Sequence, residues 1–256
     1  MSANGGTGNG AKARNDGLGR PMVKRFYTTA GVVERDRRWQ VQLDGRVART
    51  PGKRDLVLPT EALGLAIAAE WQLQVGHVDP ALMPLTRLAN TAIDGVAGRE
   101  AEVAADIVTY SGSDLLCYRA DRPEGLVLRQ QQAWDPVLAW AEARLKTTYV
   151  RQTGLMPVAQ SSQSAAAMAD ALAGLDAFRL TSLHVLTTLM GSALLALAVH
   201  TGFLTADAAW SAAHIDEDWQ IAEWGEDAEA VERRRKRSIE MQAAARMATL
   251  LGSTTG

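Results

Sequence analysis

At 256 residues, with 47% apolar side chains and a formal charge of −2, the chain can bury one large or two small cores and is too apolar for a disordered polyelectrolyte. A single cysteine, Cys117, excludes an intramolecular disulfide framework, and no segment joins a basic start to a long apolar run as a secretory signal would. The small net charge hides an asymmetry: residues 1–59 carry 12 Lys and Arg against 5 Asp and Glu, residues 60–256 carry 15 against 24.

Residues 1–21 are rich in Gly, Ala and Asn and read as a disordered tail. Strands follow. Phe26 to Ala30 and Val32 to Glu34 are β-prone, and Trp39, Val41 and Leu43 alternate with polar residues at period two. Asp44-Gly45 is a hairpin signal because both residues tolerate positive φ. Arg46 to Arg49 is the return strand, Thr50 to Lys53 a second turn, and Leu56 to Leu58 a last strand ended by Pro59. Strands this close in sequence pair antiparallel. After Pro59 the period becomes helical. Thr60 caps a helix whose stripe is Leu63, Ile67 and Trp71. Residues 77–84 are extended, since Pro80 and Pro84 disfavour helix before them. Helical stripes continue at Leu85, Leu88, Ala92 and Ile93, at Val103, Ile107 and Tyr110, and from Leu126 to Leu145. Further helices are expected at Ala165–Leu172, Phe178–Val199, Ala206–Trp224 and about Asp227–Leu250. The expected fold is α+β: a β-rich domain over residues 22–80, its strands confined mainly to 23–59, then an all-helical bundle over 81–252. The longest apolar stretch, Leu183–Val199, is interrupted by polar residues and shorter than the roughly 20 residues of a bilayer span, so it reads as a core helix without stable membrane insertion.

Catalytic signatures are missing: there is no phosphate-binding Gly-Lys-Ser/Thr loop, no Gly-x-Gly-x-x-Gly turn after a strand and no Gly-x-Ser-x-Gly elbow. His77, His184, His200 and His214 are scattered, and Cys117 lies in an apolar run unsuited to a reactive thiolate. No metal, nucleotide or other cofactor is expected. The short clusters at Lys24–Tyr27 and Arg35–Trp39 mix cations with aromatics but read as charged strand edges, not as a nucleic-acid surface. The most unusual segment is acidic. Between Asp216 and Glu232 stand eight carboxylates and no cation, with Trp219 and Trp224 among them, and Arg233 to Arg237 follow at once. Two readings coexist. The acids favour a helix start and pair at i,i+4 with the cations that follow, or they form a recognition surface at the junction of two helices. An enzyme with Asp94, Asp114 or the 216–229 acids as carboxylates in an interdomain cleft is the alternative.

Several segments, in order and spacing, resemble the F1-ATP synthase assembly chaperones specific for the α subunit: Lys24-Arg25-Phe26-Tyr27; Leu43-Asp44-Gly45-Arg46 with Arg49-Thr50-Pro51; Glu70-Trp71; Met83 to Ala89; Thr91 to Asp94; Asp114 to Ala120; Trp134-Asp135-Pro136; and Trp224 to Glu229. The resemblance implies a non-enzymatic, cofactor-free protein that holds unassembled α subunit soluble until the β subunit replaces it. The candidate client-binding residues are Trp219, Glu223, Trp224, Glu226, Asp227 and Glu229, chosen because charge density is highest in this stretch and because the resemblance reaches it through Trp224 to Glu229. Abundant alanine and an excess of arginine over lysine point to bacterial cytoplasm; a eukaryotic member would act in the mitochondrial matrix.

Overall fold

A computed structural model describes residues 22–154 and 159–252; the expected tail at 1–21 lies outside the described residues. Four strands form an antiparallel sheet: β1 (Ala30–Arg35), β2 (Arg38–Leu43), β3 (Arg46–Val47) and β4 (Val57–Leu58). β2 is central and pairs with the other three. Its period-two pattern buries Val41 and Leu43 on the face covered by α1 (Glu61–Gln72). Asp44 and Gly45 both adopt positive φ, 46° and 77°, as a two-residue hairpin turn requires. The Asp44 carboxylate also accepts from the amides of Thr28 and Thr29, which holds it below the ordinary carboxylate range.

Thr60 caps α1, its hydroxyl oxygen accepting from the Leu63 amide. A short 3-10 turn (Pro80–Leu82) leads to α2 (Pro84–Thr91), which passes through a π turn (Ala92–Val96) before α3 (Glu100–Ser111). Glu70 of α1 accepts from the Leu85 and Thr86 amides and the Thr86 hydroxyl, tying the start of α2 to α1. Arg25 donates to the carbonyls of Tyr27, Thr28, Gln72 and Gln74 and clamps the chain end of α1. Several segments that carry the family resemblance are therefore clamps of the fold.

After a 3-10 turn (Leu115–Cys117) come β5 (Tyr118–Arg119), α4 (Glu124–Leu145), β6 (Gln152–Thr153), α5 (Ser162–Leu172), α6 (Ala177–Met190), α7 (Ala193–His200), α8 (Ala206–Ala213), α9 (Ile215–Trp224) and α10 (Ala228–Leu250). Three expectations change here. β5 and β6 pair in parallel, with α4 in the connection, so strands are not confined to the front. The single helix expected at 178–199 is two, because Gly191 turns left-handed at φ 67° and Ser192 restarts the helix as its cap. The helix expected at 206–224 is likewise divided, at His214.

Two apolar cores result. The front core joins Val41, Leu58, Leu63 and Ile67 to Leu85 and Ala89 of α2, Phe178 of α6 and Met247 of α10. The rear core surrounds α6 and α7 and includes Trp134, whose ring N–H donates to the Ala212 carbonyl at 2.7 Å. Among the described residues no helix is long and apolar enough to cross a membrane.

Candidate functional site

The acidic segment forms α9 and the start of α10. α9 has no fully buried residue and is held by a few side-chain contacts. Asp216 accepts from the Gln130 amide nitrogen of α4 at 2.7 Å, and Asp218 pairs with Arg234 of α10 at 2.5 Å. Trp219 is turned inward against α4, with the Arg129 guanidinium 5.0 Å from its ring. It occupies space that only a glycine at 125 leaves open: a Cβ there would stand 2.7 Å from Trp219 Cη2. Gly125→Ala should therefore push Trp219 off α4, with a cost of roughly 1–3 kcal/mol. A red-shifted tryptophan emission and a lowered melting temperature are the expected readings, and wild-type values of both would contradict this seat.

At Gly225, φ 87°, the chain turns into α10, and Asp227 caps that helix by accepting from the Glu229 and Ala230 amides. α9 and α10 enclose a cleft of about 610 Å³ lined by Trp210, Ile221, Trp224, Val231 and Arg234, with Glu217, Glu226 and Asp227 also on its wall. Trp224 is 80% exposed beside it. Behind the lining residue Trp210, the His214 ring stands tilted at 38° to the indole with ring centroids 3.9 Å apart, and burial lowers its pKa.

The cation run is consumed internally. Arg233 pairs with Glu229, Arg235 and Lys236 with Glu232, and Arg234 with Asp218; Arg237 donates to the Leu189 carbonyl. Hydrogen bonding from Arg235 pulls Glu232 down to about 2. Glu223 and Glu226 are exposed and have no charged or hydrogen-bonded partner among the described residues, so the charge left to the surface is negative.

The six residues expected at the site thus divide. Glu223, Trp224 and Glu226 face outward at the junction; Asp227 is a helix cap, Glu229 holds Arg233, and Trp219 anchors α9 to α4. The cleft residues Trp210, Ile221, Val231 and Arg234 were not singled out from sequence, although 217, 221 and 224 and 227, 231 and 234 each share a helical face. The alternative carboxylates are taken up elsewhere. Asp94 accepts from the Thr50 hydroxyl and the Gly52 amide, and Asp114 is wholly buried. Cys117 is buried too, its thiol pushed up to about 12 by desolvation. No group of three potential metal-binding side chains occurs among the described residues.

Residues 24–142 match the family profile described as ATP12 chaperone protein. The chain is 24% identical over 229 residues to the mitochondrial protein atp12 of Schizosaccharomyces pombe, covering 84% of this chain and 79% of that one. It is 44% identical to the solved Atp12 of Paracoccus denitrificans, with a TM-score of 0.85 over 90% of this chain and 98% of that one. The solved Atu1473 protein of Agrobacterium tumefaciens is also 44% identical, with a TM-score of 0.87 over 91% of this chain and 88% of that one.

Proposed function

The chain belongs to the ATP12 chaperone family of ATP synthase assembly factors, and from that premise we propose that it binds the unassembled α subunit of the F1 sector and keeps it soluble until the β subunit replaces it. It acts by binding alone, with no catalytic step and no cofactor, in the bacterial cytoplasm.

The observation that carries the client surface is the α9–α10 junction. There an 80% exposed Trp224 stands between Glu223 and Glu226, whose charges are not spent on the cations nearby. An unassembled subunit exposes apolar surface meant for its neighbours, and such surface aggregates. A holder must cover that surface and later release it. A cleft with an aromatic edge supplies contact area, while unpaired acids supply fast, selective encounter without an irreversible grip.

Co-expression with the cognate α subunit tests this reading. Soluble α subunit should co-purify with the chain when β is absent and be lost from it when β is present. Equal solubility of α with and without the chain would refute the function.

A further inference from the structure

The front of the molecule carries exposed apolar surface that neither core uses. Val23, Phe26, Leu73 and Val75 are all at least 62% exposed. Lys24 bridges antiparallel to His77 and the Arg25 amide donates to the Gly76 carbonyl, which brings Val23 and Phe26 alongside the segment that holds Val75, two residues after Leu73. From Phe26 an aromatic series runs inward: Phe26 meets Tyr27 edge-on at 5.3 Å, and Tyr27 meets Trp71 at 5.6 Å. This series lines a cleft of about 600 Å³ whose other wall is the β2–β3 hairpin, including Leu43, Arg46, Val47 and Arg49.

The charge around this cleft is opposite to that of the α9–α10 junction. Residues 22–59 contain nine Lys and Arg against four Asp and Glu. Asp44, the acid on the cleft wall, is held by the Thr28 and Thr29 amides. Arg49 is offset by Asp55 at 3.5 Å, but Arg46 is exposed and has no acidic or hydrogen-bonded partner among the described residues. An apolar floor rimmed by two guanidinium groups, Arg46 and Arg49, against one carboxylate, Asp44, suits an apolar segment carrying carboxylates.

We infer that the Phe26–Arg46 cleft is a second client-docking surface, which takes an acidic, apolar segment of the same α subunit whose other contact is the acidic junction. The inference rests on the function proposed above. Two surfaces of opposite sign on one holder select a single client orientation, since the reversed orientation sets like charges together at both ends.

The test is capture of α subunit by purified full-length chain, titrated at low and moderate salt. Phe26→Ala and Arg46→Glu should each weaken capture at least tenfold with little change in melting temperature, because both side chains are exposed. Arg46→Glu should also flatten the salt dependence. Arg35→Glu, which makes the same charge change at the far end of β1, should capture as the unaltered chain does. Wild-type capture by both cleft variants would overturn the second surface while leaving the proposed function standing. An equal loss in Arg35→Glu would overturn it too, by assigning the effect to overall charge. Failure of the unaltered chain to capture α subunit would instead refute the function on which the inference rests.

Discussion

Replacing Asp114 with asparagine is expected to lower the melting temperature by roughly 10 °C. The carboxyl is wholly buried where the 3-10 turn at Leu115 meets the start of α7. One oxygen accepts from the Leu116 amide at 3.1 Å and the Ser192 hydroxyl at 2.7 Å; the other accepts from the Leu194 amide at 3.0 Å. Donors thus face both oxygens. Asparagine offers one oxygen and one NH₂ group, so either orientation sets N–H against N–H or O–H in the interior. Leaving buried donors unpaired costs about 1–3 kcal/mol each, or roughly 2–4 kcal/mol here. At about 2–4 °C per kcal/mol for a chain of this size, the melting shift follows.

The same site sets a pH dependence of definite sign. Desolvation raises the Asp114 carboxyl to about 6, against the opposing pull of its donors. A carboxyl whose folded value lies above its unfolded value binds protons more tightly in the fold. Its contribution to stability is therefore full below about pH 4, falls as pH rises toward 6, and is constant above that. Asparagine lacks this titration. The stability gap between wild type and variant should thus be smaller at pH 7 than at pH 5, by roughly 1 kcal/mol. Thermal melts of both proteins at the two pH values provide the check, and a gap that widens with pH would show that the donors dominate over burial.

Reversing Glu226 to lysine is expected to weaken capture of the α subunit at least 100-fold while leaving the melting temperature within about 2 °C of wild type. Glu226 is the clean choice at the junction. It is exposed, lines the cleft and has no partner among the described residues. Glu229 is less clean because its reversal also breaks the pair with Arg233 at 3.0 Å. An exposed pair of that kind is worth about 0.2–1 kcal/mol, enough to blur binding with folding. Asp170, exposed near the end of α5, serves as the control, and Asp170→Lys should capture normally. If capture by Glu226→Lys matches wild type, or falls only in step with unfolding, the junction belongs to the fold and the client surface lies elsewhere.

Local chemistry made much of this protein legible from its residues. The period-two run at Trp39–Leu43, the Asp44-Gly45 turn and the Thr60 cap each depend on neighbours within a few positions, and each forms as local preference dictates. The last helix likewise begins after Asp227, and the pairs Glu229–Arg233 and Glu232–Lys236 form at i,i+4 spacing. Tertiary structure decided the rest. A glycine in an apolar run does not by itself end a buried helix. α6 stops at Gly191 where Ser192 and Leu194 meet the buried Asp114 carboxylate, 78 and 80 residues away in sequence. The β5–β6 pair likewise needs α4 folded between its strands. At the junction the sequence displays eight acids and five cations side by side, and local spacing accounts for only some of their partners. Arg234 reaches back across the cleft to Asp218, Arg237 reaches Leu189, and Trp219 turns away onto Gly125. What remains outward is decided by those distant contacts. A side chain's charge is written in the sequence, but whether that charge is spent depends on what the fold places within a few ångströms of it.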